Sequence, residues 1–267
     1  MCTTECASGL IAARFFRVTC GKTSALVWLR RTPHVFRFNA LVALALVELI
    51  ATAGCAQTGV LRKTDITLQP PGSVRVLVMP LDVELCELTA GGMLEPRADW
   101  TEQAKTHVQA ALDEALRGKR AALVPYNPPA RDPEQMKADQ QLLKLYDLVA
   151  GAILLNSFVP LPTKKGRFDW SLGEGARQLR ERTTADYALF ILLRDSHASG
   201  GRVALMVAGA LLGVVVPGGS QIGIASLVDL RGGDIVWFNR LSRGVGDLRT
   251  PDAARTAVES LLTELPL

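Results

Sequence analysis

From Cys55 onward this 267-residue sequence has one further cysteine, Cys86, two histidines, His107 and His197, and no surplus of positive charge. Each scarcity removes a class of function. With Cys55 modified, Cys86 stands alone and no intramolecular disulfide can form. Neither histidine has a second ligand at metal-site spacing, so no metal and no cofactor are expected. The net charge of +4 comes from residues 1–54, which hold six of the 30 Lys/Arg and two of the 26 Asp/Glu; 24 of each sign remain from Cys55 onward. A nucleic-acid partner needs a basic face on the body, and none is visible.

Catalytic patterns are scarce too. Ser220 follows two glycines but lacks the Gly-x-Ser-x-Gly elbow. Gly21-Lys22-Thr23 ends like a phosphate loop, yet Phe16 stands where its first glycine belongs. Asp82, Glu84 and Glu87 read as an exposed acidic edge that discourages strand pairing. Cys86, alternating with these acids, reads as a small half-buried side chain. The chain is therefore not expected to be an enzyme.

What is present begins with a leader. Arg30, Arg31 and Arg37 precede the apolar segment 40–54, ALVALALVELIATAG, which has signal-peptide length and is short for a spanning helix. Thr52, Ala53 and Gly54 then form a signal-peptidase recognition site before Cys55, as in the lipobox of bacterial lipoproteins. Thr52 replaces the usual leucine, and Glu48 interrupts the apolar run. The alternative is a short buried helix with a free thiol. The lipobox divides the chain into a leader (1–54, with 1–29 as surplus ahead of the signal), a polar tether (55–72) and a periplasmic domain (73–267). Cys55 becomes the lipidated residue. Ala56 and Gln57 follow it, without the Asp that marks inner-membrane retention, so the expected address is the outer membrane, facing the periplasm.

The body alternates strand and helix signals. Residues 73–88 read as a strand broken at Pro80. Asp99 and Glu102 suggest a capping box opening a helix with Trp100, Ala104, Val108, Ala111, Leu112, Ala115 and Leu116 on one stripe. Residues 121–126 are a short strand. Asp132-Pro133 starts a helix reaching about Leu155, with Met136, Leu143, Tyr146, Val149, Ala150 and Ile153 as its buried stripe, and a shorter basic helix follows near 171–183. Residues 185–198 are apolar almost throughout to Leu193, as suits a central strand covered on both faces. Leu227–Leu230 and Ile235–Phe238 make a hairpin across Arg231–Asp234. Thr250-Pro251 opens a last helix with Ala254, Val258, Leu261, Leu262 and Leu265 inward. Together these predict one α/β domain, a mixed sheet with helices on both faces.

This order resembles that of a group of bacterial envelope lipoproteins. The resemblance rests on Ala185-Asp186-Tyr187 running into an apolar strand, and on Leu227-Val228-Asp229-Leu230 returning through Gly233-Asp234 to Ile235-Val236-Trp237. Those proteins share a domain like the N-terminal domain of TolB and the periplasmic domain of the curli-secretion lipoprotein. The likeness covers roughly 73–265. It implies a role in envelope assembly or transport and carries over no catalytic residue.

One segment departs from that group. Val203–Val216 is fourteen consecutive apolar or glycine residues, fewer than the ~20 of a spanning helix. It reads as a buried helix roofing the sheet, as an apolar surface for a membrane or partner, or as a pore-lining element. The reading carried forward is a helix outside the strand ladder and partly exposed. Val203, Leu205, Met206, Leu211, Leu212 and Val215 are its candidate interaction surface. The function expected is that of a non-enzymatic, lipid-anchored protein that binds or helps assemble another envelope component. The alternative is a subunit of a homo-oligomeric outer-membrane secretion or transport complex, like the curli exporter.

Overall fold

The computed structural model describes residues 57–63, 74–117, 119, 121–244 and 246–267. The leader, its Thr52, Ala53 and Gly54, and Cys55 lie outside these residues.

Strand β6 (Tyr187–Ala198) is the spine of a mixed sheet, its first five residues all buried. Nearly unbroken apolar sequence permits this, because both faces of the strand are covered. β7 (Gly219–Asp229) runs antiparallel along its whole length, from Tyr187↔Asp229 to His197↔Gly219. The other flank is shared. β2 (Val74–Val78) pairs in parallel with the first part of β6, and β3 (Asp82–Leu88) with the rest. Between Val78↔Leu189 and Asp82↔Leu192 one strand advances four residues while the other advances three. Pro80 sits in that extra step, where its missing N–H takes nothing from the ladder.

Outward from β2 lies β5 (Ala121–Pro125), parallel to it, and outward from β3 lies β4 (Leu94–Pro96), antiparallel. On the other side β8 (Ile235–Arg243) returns from β7, and β1 (Gln57–Arg62) closes that edge antiparallel to β8. Gly233 makes the β7–β8 return possible. Its φ is +78°, and a Cβ there would come within 2.1 Å of the Gly173 carbonyl oxygen. No side chain fits.

Helices α1 (Ala98–Arg117) and α5 (Pro251–Leu261) cover one face, packing on Val76, Leu189, Ile191, Leu193 and Trp237. Helices α2 (Pro133–Phe158) and α3 (Arg177–Thr183) cover the other, over Leu77, Ala188, Phe190, Ile224 and Phe238. Tyr146 of α2 stacks on Phe190 with ring centroids 4.2 Å apart, and its hydroxyl shares a 2.9 Å hydrogen bond with Ser226. The fold is thus α/β, a mixed sheet with helices on both faces. Among the described residues no helix is long and apolar enough to cross a membrane.

Four local expectations are corrected. Within the polar segment read as a tether, Gln57–Arg62 is a strand, because β8 leaves an open ladder edge for it. Asp82, Glu84 and Glu87 do not form a bare acidic edge. β4 covers β3 only from Cys86 to Leu88, and along the whole strand the acids face guanidiniums: Asp82 and Glu84 face Arg194 at 2.7 and 3.4 Å, and Glu87 faces Arg97 at 2.6 Å. The loop expected around 89–98 contains β4. The capping box at Asp99 does not form, since α1 already begins at Ala98; Asp99 pairs with Arg97 and Glu102 with Lys105. The cap at Asp132 is as expected, its carboxylate accepting from the Gln135 N–H at 3.1 Å with Pro133 in the first turn.

Candidate functional site

The apolar run folds as helix α4 (Gly200–Leu211) followed by a returning strap, 212–218. Ser199 caps the helix, its hydroxyl accepting from the Arg202 N–H at 3.2 Å. Three contacts hold the strap against the helix. Arg202 donates through Nε to the Pro217 carbonyl at 2.9 Å. Gly218 packs where any Cβ would strike Met206. At Gly209 a Cβ would stand 2.9 Å from both the Val214 carbonyl oxygen and a Val216 methyl, so only glycine allows this approach. The result is a finger that leaves the end of β6 and returns into β7.

The helix buries none of its residues. Exposure rises along it, from 48% at Val203 and 45% at Leu205 to 84% at Leu211, 82% at Leu212 and 89% at Val215. Met206 alone of the six candidates is turned inward, half-buried beneath the strap. The reading as a helix outside the strand ladder and partly exposed holds; a buried roof over the sheet does not. The finger has no charged side chain between Arg202 and Asp229. Two of its terminal carbonyls are nevertheless satisfied, with Gly209 accepting from Leu212 and Val214 and Ala210 from Gly213.

A second apolar stripe lies on α2. Leu142, Tyr146, Ala150 and Ile153 enter the core, while Leu145, Leu148, Leu155 and Val159 recur at similar spacing on an outer face and are exposed, as is Phe158. The sequence reading missed this stripe because it took one periodicity from a helix that carries two.

Polar clusters elsewhere are neutralised from within. A cleft of about 440 Å³ is lined by Arg177, Arg180, Glu181, Thr184 and Arg231. Each guanidinium there faces a carboxylate: Glu174 at 3.8 Å, Asp186 at 3.4 Å and Asp229 at 2.8 Å, respectively. The Trp100 ring lies near two cations, Arg97 at 4.4 Å and Arg249 at 4.5 Å. Buried Asp139 accepts from the Tyr126 hydroxyl and pairs with Arg182, and burial with that carboxylate pushes the Tyr126 phenol up to about 12. His107 meets the Leu248 carbonyl through Nδ1, at 3.3 Å. Among the described residues no three metal-ligating side chains converge. Burial first, and Glu84 next, raise the Cys86 thiol above its ordinary value, which lowers the thiolate fraction a nucleophile requires. Ser220 is held by its neighbour Ser196, whose Oγ accepts from the Ser220 N–H at 2.9 Å.

One buried acid has a distinct structural task. Asp195, on the face of β6 toward α5, accepts the Leu248 N–H at 2.8 Å and so fixes the loop that leads into α5. Burial pushes its carboxyl above the ordinary range, opposed by that N–H and reinforced by nearby Asp247.

No family model matches the sequence, and no curated protein matches it. Among solved structures, a PelC point-variant dodecamer from Paraburkholderia phytofirmans is 14% identical with a TM-score of 0.35, covering 79% of this chain and 96% of that one. A second PelC dodecamer from the same organism is 12% identical, also at 0.35, covering 78% and 96%. Likeness at that level assigns no function.

Proposed function

We propose that the chain is a lipid-anchored, non-enzymatic protein of the bacterial envelope that binds or helps assemble another envelope component, held at the outer membrane and facing the periplasm. The observation that carries this reading is the finger. A run of aliphatic side chains projects into solvent on a dedicated, internally braced support, and exposed apolar surface of that kind marks a contact with a partner or a membrane. The Thr52–Cys55 lipobox supplies the anchor. Two measurements on the full chain test the reading. Intact mass should show loss of residues 1–54 and gain of acyl groups, with Cys55→Ala left unprocessed. The Leu211→Ser/Leu212→Ser double variant should keep its melting temperature and lose envelope components that co-purify from detergent. An intact N-terminus on membrane-bound protein defeats the anchor, and unchanged recovery with a collapsed melting temperature returns the finger to the core. Density fractionation with inner-membrane markers would reverse the address.

The outer stripe of α2 favours a second reading, a subunit of an oligomeric secretion or transport complex. Leu148 and Leu155 lie on a helix already seated in the core, a firm platform for subunit packing. Light scattering in detergent separates the two: a ring-sized species supports the complex and a monomer the first reading.

A further inference from the structure

We infer that the tip of the α4 finger enters the lipid leaflet beside the Cys55 anchor, as a second, non-covalent membrane contact; this rests on the lipoprotein reading above. The placement follows from the sheet register. Gln57 pairs with Ser242, Ser242 with Ile222, and Ile222 with Arg194, so the start of β1 lies on the same row as the last part of β6. Three strand spacings separate them, about 14 Å. β6 continues from Arg194 to Ala198 in the direction that β1 comes from, and the finger leaves from there. Cys55 is two residues before Gln57, a reach of at most about 7 Å. An acyl group on Cys55 therefore brings the leaflet to the end of the sheet that carries the finger. The opposite end, with the Arg177–Arg231 cleft, faces away.

The chemistry of the tip suits lipid. Energetically dominant protein contacts are enriched in Tyr, Trp and Arg within a polar rim. From Val203 to Gly219 no side chain is aromatic or charged, and none carries a hydroxyl or amide. Hydrocarbon demands that backbone polar groups be satisfied internally; the Gly209 and Ala210 carbonyls are, by Leu212, Gly213 and Val214, while the strap beyond Val214 lacks such backbone bonds, which keeps the contact shallow, at the headgroup boundary. A helix of 12 residues is about 18 Å long, well short of a ~30 Å hydrocarbon core, so the finger dips into the leaflet and does not span it. With no basic residue on the tip, the contact should be insensitive to salt and to anionic lipid.

The test places an environment-sensitive fluorophore at Leu212→Cys in the full, cell-processed chain, with Cys2, Cys6, Cys20 and Cys86 replaced by serine. An identical label at exposed Gln178 of α3 is the control. The protein is reconstituted into phosphatidylcholine vesicles with or without spin-labelled lipid. The expected result is a blue shift and several-fold stronger quenching by the lipid-borne label at 212 than at 178, unchanged in high salt. Equal quenching of both positions by aqueous iodide overturns the inference. Loss of co-purifying protein in the Leu211→Ser/Leu212→Ser variant without lipid quenching at 212 also overturns it, while leaving the binding function standing. An unprocessed N-terminus removes the reading on which both depend.

Discussion

Helices α4 and α5 are nearly equal in length, 12 and 11 residues, and opposite in fate. α5 carries Asp252, Arg255 and Glu259, yet it buries Ala254, Ala257, Val258 and Leu261. α4 carries one charge, Arg202, and buries nothing. The more apolar helix is the exposed one. Position along the sheet decides this. α5 lies over the sheet, where residues spaced by three and four reach a single face, and Leu261 sits where Gly223 leaves room for it. α4 projects past the end of β6, and among the described residues none packs over it closely enough to bury a side chain. Hydrophobicity sets what burial is worth; topology sets whether burial is on offer.

The largest expected effect tests that contrast directly. Leu261→Ala should cost about 2–5 kcal/mol, the range for a fully buried leucine. For a body of this size that lowers the melting temperature by roughly 4–20 °C. Leu211→Ser at the tip should stay within about 0.5 kcal/mol of the parent. A thermal melt checks both. Comparable losses would mean that α4 is packed in solution against something that the free chain does not provide.

A smaller effect sharpens the account of the finger itself. Gly209→Ala gains about 1 kcal/mol of helix propensity, but its Cβ meets the Val214 carbonyl at 2.9 Å. The strap must move. Amide exchange at Leu212, Gly213 and Val214, whose N–H groups close onto Gly209 and Ala210, should accelerate about tenfold or less, as a bond worth ~1 kcal/mol implies. The melting temperature should not follow. Slower exchange at these three amides would show that the strap is held by something other than close approach.

The two helices also differ in how far they were legible. The stripe of α5 and the hairpin through Gly233 follow from spacing alone, and so does the central strand through Phe190, because each is a local pattern that tertiary packing obeys. Gln57–Arg62 has no such pattern; its pairing is imposed by the open edge of β8, a fact distant in sequence. The acids of β3 read as an edge because their partners, Arg194 and Arg97, come from other elements. For the finger, length and apolarity announced an unusual segment, but a helix with no polar face calls for cover, and that it lies exposed depends on its place beyond the end of β6. The fold-back at Gly209 was not legible, since a glycine in a helix looks the same whether or not a strap lies against it. The outer stripe of α2 was hidden by the inner one.

The smallest effect concerns the tie that α5 has and α4 lacks. Asp195 holds the Leu248 N–H ahead of α5, and burial raises its carboxyl above the ordinary 3.8, with Asp247 adding to the rise and His197 and Gln221 opposing it. In the window above 3.8 the folded chain retains a proton that the unfolded chain has released. Stability contributed by this group is thus fully present below the unfolded value and is lost as pH rises through the raised folded value. Asp195→Asn keeps a carbonyl oxygen for Leu248 and removes the charge. Its melting temperature relative to the parent should therefore climb as pH rises from about 3.8 and level off beyond the folded value. Differencing the two proteins cancels the carboxylates that do not interact with Asp195, leaving only the coupled Asp247. A difference that stays flat, or falls with pH, would show that the Leu248 bond outweighs burial and that α5 is tied down by an acid that ionises normally.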